Sequence, residues 1–144
     1  MFQEAKSLYE KALSGLNEYD PDIMFSLAKV EFSLEDFEKT KQILESLIEN
    51  NPEFKNQEAH LLFARAVQNL GENEKALEEY EVLAGYYSGA EAKYRYAVLL
   101  RQLGEVEKAE ALLGNIIQNS NQFGKHYWSM NREWITLAKK ELGS

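Results

Sequence analysis

Leu34-Glu35-Asp36-Phe37, Leu70-Gly71-Glu72-Asn73 and Leu103-Gly104-Glu105-Val106 are three copies of one short phrase. The leucines that open them stand 36 and then 33 residues apart. Each phrase is followed three positions on by a small residue (Thr40, Ala76, Ala109), and four further on by a large apolar one (Leu44, Tyr80, Leu113). Residues with helical spacing lie on both sides of the phrase, so it reads as a tight turn between two helices. A self-similar period in the low thirties with this content is the mark of a helical solenoid, in which each hairpin buries its apolar face against its neighbours.

Working outward from the turns, the first helix of each unit carries apolar or small residues at i, i+3, i+4 and i+7. These are Met24, Leu27 and Ala28; His60, Phe63, Ala64 and Val67; and Tyr96, Ala97 and Leu100. The second helices continue with Phe37, Leu44, Leu47 and Ile48; Ala76, Leu77, Tyr80, Leu83 and Ala84; and Val106, Ala109, Leu113, Ile116 and Ile117. Ala28, Ala64 and Ala97 share one position of the period, and Thr40, Ala76 and Ala109 another. A small residue at each lets paired helices approach closely, where leucine would overpack by about 1–3 kcal/mol. Strand signals are lacking, and neither Pro21 nor Pro52 interrupts a helical period.

With 144 residues, 44% of them hydrophobic and 28% charged, the chain has the composition of an ordered single domain. A net charge of -8 argues against nonspecific nucleic-acid binding and against attraction to an anionic membrane. The absence of cysteine removes a disulfide framework and any thiolate metal site. No metal-ligand spacing or phosphate-binding glycine loop occurs, so no metal or other cofactor is expected. His60 falls where a buried large residue is usual and reads as packed; His126 reads as a surface residue. Pairs such as Glu78-Glu79 and Glu105-Glu107 read as solvated faces. No set of acid, base and nucleophile converges, and catalysis is not expected.

The arrangement resembles the tetratricopeptide repeat. Phe63-Ala64, Gly71, Ala76, Tyr80 and Leu83 follow that family's pattern, as do Leu27-Ala28, Phe37, Leu44, Leu47 and Pro52, and then Tyr96-Ala97, Gly104, Ala109 and Leu113. Glu35 departs from it at the turn glycine, Thr40 at an alanine, and Ser88 and Asn121 at the closing proline. The resemblance implies an all-α, right-handed solenoid of helix hairpins forming a single domain over 1–144. Its expected parts are an orphan second helix at 1–20, closed by Asp20-Pro21; repeats at 21–54, 57–89 and 90–123; and a capping helix at 124–142. Phe2, Ala5, Tyr9 and Ala12 carry the orphan helix, which implies an array continuing upstream. Tyr127, Met130, Trp134, Leu137 and Ala138 would form the apolar face of the cap, with Arg132, Lys139 and Lys140 on its polar side. Trp134 reads as core and Trp128 as a half-exposed edge.

In this family the first helices line a concave groove. Carried onto this chain, the groove would present Phe25, Lys29 and Phe32, then Leu61, Arg65 and Gln68, then Tyr94, Val98 and Arg101. Phe25, Leu61 and Tyr94 would make an apolar ladder, and Lys29, Arg65 and Arg101 a basic strip within an acidic protein. That pattern suits a protein or peptide partner with apolar anchors and acidic residues or a free carboxylate. The positions that clamp a C-terminal carboxylate in co-chaperone relatives hold Phe25, Lys29, Leu62, Glu91 and Arg95, of which only Arg95 fits, so that mode is not expected. The implied function is a noncatalytic binding scaffold. The alternatives are a self-associating module, hence a homo-oligomer, or a regulatory domain of a larger membrane-anchored protein. The resemblance extends to soluble repeat regions of bacterial proteins with membrane helices upstream, implying a cytoplasmic domain tethered by a segment N-terminal to this one.

Overall fold

The computed structural model describes residues 1–14 and 18–143. Their helices are α1 (Phe2–Ala12), α2 (Pro21–Ser33), α3 (Phe37–Asn50), α4 (Gln57–Asn69), α5 (Asn73–Tyr86), α6 (Glu91–Gln102), α7 (Val106–Gln122), α8 (Gly124–Met130) and α9 (Arg132–Leu142), with no strand among the described residues. The chain forms an all-α repeat fold, divided into two compact units, Met1–Ala76 and Leu77–Ser144.

The recurring phrase is a helix C-terminus. Leu34, Leu70 and Leu103 are the C-caps, and the residue after each takes a positive φ: Glu35 at 63°, Gly71 at 80° and Gly104 at 89°. The next N–H reaches back to a carbonyl five residues earlier, Asp36 to Glu31 at 2.9 Å, Glu72 to Val67 at 3.0 Å and Glu105 to Leu100 at 2.8 Å. This is the Schellman closure, which satisfies carbonyls the helix leaves open. Glycine suits the left-handed residue because it has no Cβ; Glu35 occupies the same conformation with one. The following helices start at once, and Asp36 accepts the Lys39 N–H at 3.1 Å as an N-cap.

In the first unit, α2 packs on α1 and α3, and α3 on α4. Met24, Ala28, Leu44, Leu47, Ala59 and Leu62 form its core. Ala28 and Thr40 are both 0% exposed, in keeping with the close approach their size permits. Asp20-Pro21 does not close α1, which ends at Ala12, but opens α2: Pro21 stands in its first turn, and Asp20 accepts the N–H groups of Asp22 (3.0 Å) and Ile23 (3.1 Å). Pro at the first helical position loses nothing, since its missing N–H would have had no partner there. Residues 15–17 of the expected orphan segment lie outside the described residues.

In the second unit, α6 packs on α7, and α9 packs on both. Ala97, Leu100, Ala109, Leu113, Ile116, Ile135 and Ala138 are its buried centre. The expected single capping helix is instead two, broken at Asn131. Asn131 turns inward to 7% exposure, and its Oδ1 accepts the buried Ala90 N–H at 2.9 Å while Nδ2 donates to the Tyr127 carbonyl at 3.0 Å. The break shifts the helical phase, so Met130 is 71% exposed rather than on the apolar face, and Ile135 fills the core place. Ile48 and Val106, expected on buried faces, are also exposed.

Candidate functional site

In the first unit the site expected from sequence is built on α2 and α4. Phe25, Lys29 and Phe32 follow one another at helical spacing on α2, and Leu61, Arg65 and Gln68 on α4. Lys29 is exposed, and its Nζ stands 4.6 Å from the centre of the Phe25 ring. Arg65 lies across to α2, its Cζ 4.6 Å from the centre of the Phe32 ring. Phe32 in turn meets the edge of Phe37 at 5.1 Å, which fixes the plane the guanidinium covers. Two cations are therefore each placed over an aromatic face, where the ring quadrupole attracts them. Gln68 is half-buried beside them.

Leu61 is 3% exposed and offers no surface to a partner. Its register position matches that of Phe25, which is half-buried, whereas Leu61 is enclosed.

In the second unit, Tyr94 packs on Trp134 with ring centres 5.8 Å apart, and burial pushes the Tyr94 hydroxyl above its ordinary pKa, with the Glu141 carboxylate adding to the shift. Val98 is half-buried. Arg101 does not extend a free basic strip. Its Nη1 donates to the Glu141 backbone carbonyl at 2.7 Å and to Oε2 at 2.9 Å, so α9 takes up its charge. Arg95 is held likewise: Nε donates to Glu91 Oε2 at 2.8 Å, and its Cζ lies 5.2 Å from the Trp134 ring centre. Trp134 is half-buried, packs against the core of the unit, and carries Tyr94 and Arg95 on its ring. Trp128 is 42% exposed under the Arg132 guanidinium, 5.4 Å away. Beside it, Ser129, Met130, Arg132, Glu133, Thr136 and Leu137 surround an open concavity of about 560 Å³.

His60 is half-buried on α4 and His126 is exposed on α8. Among the described residues no cluster of three or more His, Cys, Asp or Glu is placed to hold a metal ion, and no helix is long and apolar enough to cross a membrane.

The family model described as Tetratricopeptide repeat matches residues 22–53 and 91–120, one stretch in each unit. The chain carries tetratricopeptide repeats over these two stretches. Its hairpins, closed by the same turn in α2–α3 and α6–α7, are those repeats. Among solved structures, MamA superposes with a TM-score of 0.74 at 16% identity, covering 99% of this chain and 85% of that one. PcrH, crystallised in complex with the chaperone binding region of PopB, gives 0.66 at 18% identity over 88% of this chain and 94% of its own. SycD, the type III secretion translocator chaperone of Yersinia enterocolitica, gives 0.67 at 20% identity over 85% and 87%. At these identities the likeness is one of fold. No curated protein sequence matches the chain.

Two features were missed from sequence. The hold of α9 on Arg101 depends on where a distant helix packs, and no local signal announces it. Glu31 could have been found: aligned on the turn leucines, it stands where the next repeats have Val67 and Leu100.

Proposed function

We propose that this protein is a noncatalytic interaction module that binds a segment of another protein on the α2–α4 face of its first unit. The observation that supports this reading is the pairing of Lys29 with Phe25 and of Arg65 with Phe32, each cation 4.6 Å from its ring. Lys29 is exposed on its ring and can meet a carboxylate, the Arg65 guanidinium adds a second cation to the same face, and the half-buried rings add apolar contact. A partner with acidic residues flanking an apolar side chain meets both demands, and the local positive charge selects it against basic segments. Fold analogy points the same way, since PcrH was crystallised with the chaperone binding region of another protein.

The test is an array of peptides combining apolar anchors with acidic residues, alongside matched basic versions, read by fluorescence polarisation against wild type and the K29E/R65E double variant. Acidic peptides should bind wild type, and the double variant should lose roughly tenfold or more in affinity. Its unfolding free energy should fall by no more than about 1 kcal/mol per cation–ring pair. Equal binding of acidic and basic peptides, or unchanged affinity in the double variant, overturns the reading.

A further inference from the structure

Glu31, Val67 and Leu100 occupy one register position, three residues before each turn leucine. All three are buried, at 0%, 0% and 4% exposure. The first repeat thus holds a carboxylate where the later ones hold an aliphatic side chain. The group that meets it is Lys6 of α1, whose Nζ lies 3.0 Å from Oε1. Glu31 holds this ammonium above its ordinary pKa. A buried carboxylate has surrendered its hydration, so it is tolerated only with its counter-charge in place. The pair therefore ties one point of α1 to one point of α2.

The helix α1 packs on α2 with Ala5, Tyr9, Ala12 and Leu13 half-buried. Ala5, Tyr9 and Leu13 stand four positions apart, on one face of the helix. A slip of one turn brings Tyr9 to the place of Ala5 and Leu13 to that of Tyr9, or the reverse, so apolar side chains still face α2. The charges have no such repeat. Four positions after Lys6 comes Glu10, and four before it comes Phe2. A slip in one direction sets Glu10 against Glu31, two carboxylates at a buried place. A slip in the other sets Phe2 there and leaves Glu31 buried and alone. In the observed register Glu10 instead stands 4.0 Å from Lys39 Nζ of α3, an exposed pair of matching sign.

We propose that Glu31 selects the helix that packs on this side of α2: it admits one bearing a lysine at this point, and it fixes α1 against a one-turn slip. Val67 and Leu100, being aliphatic, impose no such demand at their own places. Neither Glu31 nor Lys6 belongs to the α2–α4 binding face, so the two readings stand or fall separately.

Pulsed electron–electron spin resonance of the full chain tests it. Spin labels go on L8C and I48C, at exposed positions of α1 and α3 in a chain that has no cysteine of its own. The labelled wild type should give one distance. K6L/E31L, which removes both charges and keeps the place apolar, should stay folded. It should add a second distance, shifted by up to about 5 Å, the rise of one helical turn. K6E/E31K should also give two distances although it keeps an ion pair, because Glu10 serves the new cation one turn along. Adding E10K to that variant should restore one. A single unshifted distance in K6L/E31L or in K6E/E31K overturns the proposal, and either variant decides alone should the other fail to fold. A second distance in wild type, or one that persists in K6E/E10K/E31K, overturns it as well.

Discussion

Replacing Asn131 with alanine removes the side chain that joins the α8–α9 corner to the start of α6. Its Oδ1 is the acceptor 2.9 Å from the Ala90 N–H, and Ala90 is 0% exposed. With Oδ1 gone the N–H is left buried without a partner, at about 1–3 kcal/mol. The second bond, from Nδ2 to the Tyr127 carbonyl at 3.0 Å, matters less, because the backbone N–H of Asn131 donates to the same oxygen; its loss adds roughly 0.5–1.5 kcal/mol. The expected total is about 2–4 kcal/mol, measured by denaturant unfolding with the slope unchanged. A second variant checks the cause. A Cβ at Gly89 would sit 2.9 Å from Asn131 Oδ1, so Gly89→Ala should destabilise wild type by forcing that oxygen aside and cost distinctly less in the Asn131→Ala background. A loss below about 0.5 kcal/mol in Asn131→Ala, or fully additive effects in the pair, would refute the reasoning.

The turn at Glu35 predicts a gain. Its φ of 63° carries a left-handed cost of about 1–2 kcal/mol that glycine avoids, against roughly 0.5–1 kcal/mol of added chain entropy, so Glu35→Gly should raise stability by about 0.5–1 kcal/mol in thermal or denaturant unfolding. Alkaline pH predicts a loss. Burial raises the pKa of Tyr94, Tyr96 and Tyr127, hydrogen bonding to Glu72 raises that of Lys41, and hydrogen bonding to Glu31 raises that of Lys6. A folded-state pKa above the unfolded one contributes stability that is complete below the unfolded value and disappears as pH rises through the folded one. Unfolding free energy should therefore be flat from these groups up to about pH 9.5 and fall above it. Tyr127→Phe should lessen the fall; an unaltered pH profile in that variant would contradict the assignment.

The comparison of turn with site separates what is local from what is not. The Leu-Gly-Glu phrase was legible because a Schellman closure is made by residues within six positions, whose φ angles and hydrogen bonds depend on the chain alone. The same holds for helical periodicity and for the alanines that let helices meet. Glu35 in a glycine position was legible too, and the structure shows it accepting the strained conformation. The capping helix was misread at Asn131 because its break comes from a hydrogen bond to Ala90, 41 positions away. No feature near 131 signals it.

The candidate site divides along the same line. Sequence placed Lys29 beside Phe25 because four positions on a helix are neighbours in space. It could not distinguish buried Leu61 from a groove residue at the register position of half-buried Phe25, since the burial of a position is set by what packs over it. Arg101 looked like Lys29 and Arg65 in kind, yet Glu141 neutralises it because α9 folds back onto α6. Sequence by itself thus determined the repeat, its turns and the amphipathic faces, all consequences of hydrogen bonding and side-chain period within one hairpin. That Glu141 holds Arg101, that the last helix breaks at Asn131, and that Glu31 is enclosed beside a helix with no buried residue were decided only by tertiary packing, because each depends on a group distant in sequence.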